Sequence, residues 1–272
     1  MIDTHVHVWA LDEQHQPPPD SILPPPREAA PVEWLVEEMP RFGIDHCVLV
    51  LASSFGWDNS YMVECLGRYP GLFKAIGLVD PTSATNAKDL RAWMKQGLSG
   101  FRLHPVYYDD DTIWIDRPAN DALWRAAAET DAVLQFHMLP KHAVYLRRMI
   151  ERHPDVRVIV DHLGKPDVTE AAPYPSFQPV LDLADYPRVW VKIGDVEVAS
   201  RLPFPFPDTE PFVALLKQAF GANRMIWGTG YPTTARRIPL ADALSYVHAL
   251  PCLSDADRLA ILETTPRALF GF

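Results

Sequence analysis

The stretch "IDHCVLVLA" (44–52) carries an unbroken apolar run from Cys47 to Ala52. A strand with one wet face alternates apolar and polar residues, whereas a strand covered on both faces stays apolar along its length. The run therefore reads as a parallel strand buried between other layers. Seven further short runs rich in Val, Ile and Leu recur at 2–9, 73–79, 100–104, 132–137, 156–162, 189–194 and 224–230. Helix-like segments lie between them at 31–43, 120–131, 142–154, 208–221 and 240–250, with Asn120 placed to cap the second and a proline stopping the third. Eight strands alternating with helices fit a (β/α)8 TIM barrel, one α/β domain over residues 1–272. A doubly wound open sheet fits less well: no GxGxxG follows the first strand, and eight units exceed the roughly six of that fold.

Bulk properties narrow the function classes. A chain of 272 residues buries a substantial core, and 22% charged with 48% apolar residues is ordinary for a globular protein. The net charge of -10, without basic clusters, argues against a nucleic-acid partner, which needs phosphate-neutralising Lys and Arg. The cysteines, Cys47, Cys65 and Cys252, are odd in number, widely spaced and free of CxxC pairs, so neither a disulfide framework nor a zinc-thiolate site is expected. No secretory pattern and no apolar run of ~20 residues is seen, so the expectation is a cytoplasmic protein without a membrane span. Two proline-rich stretches, 16–31 and 201–211, follow the first and seventh strands. Each reads as a stiff linker or as a wall of a pocket mouth, since loops after strands cover the face where barrel active sites lie.

The histidines give the chemistry. His5 and His7 form an HxH within the first strand, and side chains two apart on a strand point to one side. His104, His137 and His162 end the fourth, fifth and sixth strands. Strand ends packed for stability favour aliphatic side chains, and a buried imidazole needs partners. Neutral imidazole is also the commonest metal ligand and an acid/base group near neutrality. The other histidines, His15, His46, His142, His153 and His248, fall in loops, at a strand start or on helices, and are assigned packing or solvated roles.

At this point the sequence resembles the amidohydrolase superfamily, in particular its "amidohydrolase 2" branch of sugar lactonases, pyrone-dicarboxylate lactonases and non-oxidative decarboxylases. "IDTHVHVW" looks like the first-strand signature, "GFRLH", "FH" and "VDHLGKP" like strands four to six, "VWVKIG" like strand seven, and "IWGTGYP" like strand eight. The likeness spans nearly the whole chain, and "GFRLH" with "DHLGKP" points to the lactonase side. The resemblance implies that His5, His7 and His137 bind a divalent metal, zinc or manganese, in metal-dependent members; metal-free lactonases also exist in the branch. It implies that His162 polarises or protonates the substrate, and that Arg102, Lys165 and His104 hold substrate oxygens. Arg102 suits a carboxylate because its fork donates two parallel hydrogen bonds; an ion pair at a strand end is the other reading.

One position departs from the pattern. The family's strand-eight motif usually carries an aspartate that serves as metal ligand, general base or both, and here Gly230 stands in its place. Three readings stay open: a deliberate change that blocks turnover, recruitment of another carboxylate (Asp195 and Glu197 lie nearest by topology), or a binding protein on an enzyme scaffold. The overall expectation is a hydrolase that opens the lactone ring of a small carboxylated or hydroxylated molecule. A non-oxidative decarboxylase or hydratase, and a catalytically silent ligand-binding barrel, are the alternatives. A metal-dependent nuclease would share the HxH but conflicts with the charge. Trp9, Trp57, Tyr107, Tyr108, Trp114 and Tyr231 are candidates for pocket lining or for packing, and a homodimer is a family-level expectation.

Overall fold

Each of the eight apolar runs forms a strand in the computed structural model, which describes residues 1–19, 21, 23–108 and 114–272. The strands are β1 (Ile2–Val6), β2 (His46–Val50), β3 (Phe73–Leu78), β4 (Gly100–Leu103), β5 (Val133–Phe136), β6 (Arg157–Val160), β7 (Val189–Ile193) and β8 (Met225–Trp227). They lie in chain order, and every successive pair is parallel. Each strand stops short of its apolar run. His7, His104, His137 and His162 consequently sit one or two residues past a strand end, where side chains fan out over the barrel mouth.

The reason for unbroken apolar runs is visible in β2. Val48 and Val50 join Ile76, Val133, Ile159 and Ile226 inside the barrel, whereas Cys47, Leu49 and Leu51 belong to the larger cluster under the helices. Both faces are buried, so no alternation marks them. The C-terminal helix Thr265–Phe270 contributes Leu269 and Phe270 to the interior cluster and closes the lower end. Helices Val32–Glu38, Asp121–Thr130, Ala143–Arg152, Glu210–Phe220 and Leu240–Ala249 occupy the expected segments. Two more, Ser60–Arg68 and Asn86–Lys95, had no counterpart in the sequence expectation. The second buries only Asn86 and Leu90, too thin a stripe to show as periodicity. Asn120 does not act as a side-chain cap; its Nδ2 donates to the Trp114 carbonyl instead.

The sheet closes between β8 and β1 through a stapled seam rather than a regular ladder. Asp3 accepts from the Thr229 amide (3.0 Å) and the Thr229 hydroxyl (2.6 Å), and the Thr4 hydroxyl donates to the Trp227 carbonyl (2.6 Å). The His7 amide donates to the Tyr231 carbonyl (2.6 Å). Gly228 permits this approach, since a Cβ there would lie 2.4 Å from the His5 Cβ and 2.6 Å from its backbone nitrogen. Cys47 and Cys65 are buried and all three cysteines are unpaired. Among the described residues no helix is long and apolar enough to cross a membrane.

Candidate active site

Five imidazoles from β1 and from the ends of β4, β5 and β6 form one contiguous row at the barrel mouth. Ring centroids step from His7 to His5 (4.9 Å), to His162 (4.8 Å), to His137 (5.1 Å) and to His104 (5.5 Å). Burial holds all five in the neutral form: His7 is lowered to about 4, and the others lie well below the usual histidine range. Arg102 adds to the depression at four of them as the next cause, and Lys192 does so at His5.

Beneath the row lies a buried charge network that sequence reasoning missed. Asp161, fully buried, accepts from Arg102 Nε (2.6 Å) and from Gln135 Nε2 (2.9 Å) at one oxygen, and its other oxygen lies 3.3 Å from Lys192 Nζ. Lys192 donates to Gln135 Oε1 (2.8 Å). Burial alone would raise Asp161, but Lys192 and Arg102 outweigh it and hold the carboxyl at about 2. Burial also lowers Lys192 to about 8 despite Asp161. The signal for these residues was present in the sequence: Gln135 and Lys192 are lone polar residues inside the apolar runs "AVLQFH" and "VWVKIG".

This network decides where the imidazole protons sit. His7 Nδ1 donates to the Val50 carbonyl (2.7 Å), so its Nε2 carries a lone pair facing His5 Nε2 at 3.3 Å. His5 Nε2 then carries the proton, and its Nδ1 accepts from Lys192 Nζ (3.3 Å). Lys192, His5, His7 and Val50 thus form one directed chain. Arg102 Nη2 donates to His162 Nε2 (2.5 Å), which places the His162 proton on Nδ1. Lys165 Nζ donates to His137 Nε2 (3.1 Å), and His104 Nε2 faces the Ser53 hydroxyl (3.1 Å).

The same pattern tests the expected metal set. Two imidazole nitrogens on a tetrahedral zinc lie about 3.4 Å apart, which the His5–His7 spacing of 3.3 Å meets. Binding through both Nε2 atoms, however, requires the His5 proton on Nδ1, aimed at the Lys192 ammonium. His137 stands apart from the pair, with His104, Tyr107 and His162 as its ring neighbours and Lys165 on its Nε2. A second group, His5, Asp161 and His162, brings ligand atoms within 4.8 Å of one another. Arg102 donates to Asp161 Oδ2 and His162 Nε2, and Lys192 Nζ lies 3.3 Å from both His5 Nδ1 and Asp161 Oδ1, while Asp161 Oδ1 and His162 Nδ1 make no hydrogen bond. The donor set therefore fits the protein's own cations better than a dication.

Asp195, in the turn after β7, lies beside this row, with Oδ2 3.5 Å from His162 Nδ1. Its carboxyl is raised to about 6, first by burial and then by Glu197, against the pull of Arg102 and Arg237. Glu197 is held by Arg237 Nη1 (3.2 Å) and by the Thr234 hydroxyl (3.1 Å). Backbone geometry aims these groups. His162, Leu163, Lys165 and Asp195 all have positive φ, at 52°, 58°, 53° and 50°. Such conformations cost of order 1–3 kcal/mol each and persist where the surroundings enforce them, here around the fully buried Leu163. Gly230 has φ +76°, and a Cβ on it would fall 2.2 Å from Asp195 Oδ1.

A cavity of about 860 Å³ opens over the row, lined by His7, Arg102, His137, His162, Lys165 and Asp195 among others. Arg236 and Arg237 face it from the segment after β8, and Leu23 to Glu28 of the first proline-rich stretch form part of its wall. Positions 20 and 22 of that stretch lie outside the described residues. The second stretch contributes Arg201 to an adjoining cavity of about 810 Å³ that shares His162, Lys165, Asp195 and Val198. Trp9 and Tyr107 line the main cavity, Trp57 and Tyr108 a smaller one, and Trp114 is buried against Tyr108. Tyr231 contributes its backbone to the β8–β1 seam.

Comparison with known proteins places the chain in a family. The amidohydrolase family profile matches residues 2–272. L-Fucono-1,5-lactonase of Burkholderia ambifaria is 26% identical over 86% of this chain and 80% of its own length. 4-Sulfomuconolactone hydrolase of Hydrogenophaga intermedia is 26% identical over 99% of this chain and 88% of its own. Among solved structures, a probable 2-pyrone-4,6-dicarboxylic acid hydrolase of Acinetobacter baumannii, with citric acid bound, superposes with a TM-score of 0.86 at 24% identity, covering 100% of this chain and 99% of that one. The chain belongs to the amidohydrolase family, whose members usually bind a divalent metal.

Proposed function

We propose that this member of the amidohydrolase family hydrolyses the lactone ring of a small carboxylated molecule, and that it does so without a metal ion. One observation carries the reading: Arg102, Lys165, Arg236 and Arg237 converge on a single histidine-lined cavity in a chain whose net charge is -10. A cationic cavity in an acidic protein concentrates anionic ligands by focusing the field at that point. The relatives named for lactones, and the small polycarboxylate held by the Acinetobacter structure, point the same way.

On this reading Arg102 and Lys165 hold the substrate carboxylate and the developing oxyanion. The neutral imidazole of His137 lines the cavity, His104 lines the smaller one beside it, and His162 is held by Arg102 with Asp195 3.5 Å away. Preorganised cations do here what a Lewis acid would do elsewhere, because they are held in place before the charge develops. The test is a panel of paired carboxylated and neutral five- and six-membered lactones, run on chelator-treated protein. One charge-assisted contact is worth about 1.5–3 kcal/mol, so the carboxylated member of a pair should be favoured about ten- to a hundred-fold in kcat/KM. Equal rates on neutral partners, loss of activity with the chelator, or release of carbon dioxide in place of ring opening would each overturn the proposal.

A further inference from the structure

The hydrolase reading leaves one chemical role open: some group must take a proton from the attacking water. The imidazoles are poorly placed for it. Lone pairs of His5, His7, His162 and His137 already accept from Lys192, His5, Arg102 and Lys165, and His104 Nε2 faces Ser53. Asp161 is sealed from the cavity, with no exposed surface, and is bound by Arg102 and Gln135. Asp195 lines both large cavities, as His162 does, but its side chain keeps 24% exposure against 5% for His162.

We propose that Asp195 is the general base, its carboxylate standing in the space that a side chain on residue 230 would otherwise fill. This deepens the hydrolase reading and rests on it. The key observation is the overlap at Gly230. A Cβ built there meets Asp195 Oδ1 at 2.2 Å, Asp195 Cγ at 3.3 Å and Thr234 Oγ1 at 2.7 Å. One position in the cavity wall can hold one carboxylate, delivered either from the turn after β7 or from the segment after β8. In this chain β7 delivers it, and glycine at 230 is what leaves room.

The surroundings suit the role. His162 Nδ1 lies 3.5 Å from Asp195 Oδ2, without a hydrogen bond between them. Glu197, Lys165, Arg102, Arg237, Asp161 and the Thr234 hydroxyl complete the set of polar groups that face it. Burial and Glu197 raise its proton affinity toward neutrality, where a base is most effective. In the step, the water oxygen bonds to the lactone carbonyl carbon as one water proton passes to Asp195. The carbonyl oxygen becomes an oxyanion, then reforms the carbonyl as the ring C–O bond breaks. The departing ring oxygen takes the proton back from Asp195, giving a hydroxy acid and restoring the carboxylate.

The experiment is a carboxylate swap. Asp195→Asn should lower kcat about 10²–10⁴-fold, with KM little changed and a thermal midpoint at neutral pH no lower than that of the wild type. Gly230→Asp alone should also lose activity, because two carboxylates compete for one position beside Glu197. The double variant Asp195→Gly/Gly230→Asp removes the 2.2 Å contact, leaving the Thr234 hydroxyl at 2.7 Å and the positive φ of residue 230 to be accommodated, and should recover at least ten-fold over Asp195→Gly. Asp195 already adopts φ 50°, so glycine is sterically tolerated there. Wild-type kcat/KM should rise with pH to a plateau above about 6. If the wild type opens lactones and Asp195→Asn stays within three-fold of it, the assignment is wrong while the hydrolase reading stands. A folded double variant no better than Asp195→Gly also overturns it. If the wild type opens none of the lactones yet binds a dicarboxylate in calorimetry, it is the hydrolase reading that fails.

Discussion

Replacing Lys192 with methionine keeps a long unbranched side chain but deletes the ammonium at the centre of the buried network. Three contacts go: the hydrogen bond to Gln135 Oε1 at 2.8 Å, the 3.3 Å approach to Asp161 and the 3.3 Å approach to His5 Nδ1. Gln135 and Asp161 are fully buried, so neither acceptor recovers a water partner. Removing one member of a buried, hydrogen-bonded ion pair costs about 3–5 kcal/mol, a large fraction of the ~5–15 kcal/mol that holds a typical domain together. With a urea slope of ~3 kcal/mol per molar, the unfolding midpoint should drop by about 1–1.7 M. A second consequence is specific to the proton arrangement. Without the ammonium, His5 can carry its proton on Nδ1, and the two Nε2 atoms at 3.3 Å become available to zinc. Zinc affinity, read by competition with a chromophoric chelator, should rise at least ten-fold over wild type. A midpoint loss equivalent to under ~1 kcal/mol together with unchanged zinc affinity would refute the reasoning that Lys192 sets the His5 tautomer.

Other perturbations probe separate parts of the argument. Gly228→Ala places a methyl 2.4 Å from the His5 Cβ and 2.6 Å from its backbone nitrogen, so the seam must open; a loss of about 1–3 kcal/mol or more is expected, visible as a lowered thermal midpoint. Arg102→Lys cannot reach Asp161 and His162 together as the guanidinium fork does, and kcat/KM on the best carboxylated lactone should fall at least 10²-fold. Stability should also vary with pH in a defined sense. Asp3 and Asp195 are each raised from 3.8 to about 6, so the folded state binds their protons more tightly and their contribution to stability falls as pH rises from about 4 to 6, by ~3 kcal/mol for each group. Asp161, held at about 2, acts oppositely: its contribution is present above about 4 and is lost as pH falls toward 2. The five buried neutral imidazoles outweigh both aspartates in the same range, because below about 6.5 the unfolded chain takes up protons there and the folded one does not, so thermal midpoints should fall as pH drops from about 6 toward 2, and Asp195→Asn should steepen that fall between about pH 6 and 4.

The fold was legible because parallel strands in a barrel are buried on both faces, and eight apolar runs announce that directly. The histidines were legible for the complementary reason: an imidazole at the end of such a run stands out against aliphatic neighbours. Gln135, Asp161 and Lys192 were harder. When both faces of a strand are apolar, nothing in the spacing says which positions face the barrel axis, so a single polar residue reads as an irregularity. Asp161 also sits next to His162, which drew the functional reading to itself. Asp195 and Glu197 were identifiable as nearby carboxylates by topology alone, but their ranking required coordinates. The overlap with a side chain at 230 and its place in the lining of both cavities separate Asp195 from Glu197, whose side chain is 4% exposed.

The charges of the site make one further point about the chemistry. Arg102, Lys192 and Lys165 bring three positive charges to its buried part, and Asp161 offsets one. Ionised Asp195 offsets a second, which leaves one positive charge unmatched until an anion enters. A substrate carrying a single carboxylate brings the set to neutrality. As water attacks on the proposed reading, Asp195 gains a proton and the carbonyl oxygen gains the negative charge, so the total remains neutral. Negative charge moves only from one side of the cationic frame to the other. At ~4 Å and an effective dielectric of about 20, each cation is worth ~4 kcal/mol to a nearby anion, so shifting charge out of its reach would cost as much again. The frame therefore favours a reaction in which the charge stays put in sum, as in base-assisted ring opening. It disfavours one that discharges the substrate carboxylate itself, because decarboxylation would consume the group that completes the balance.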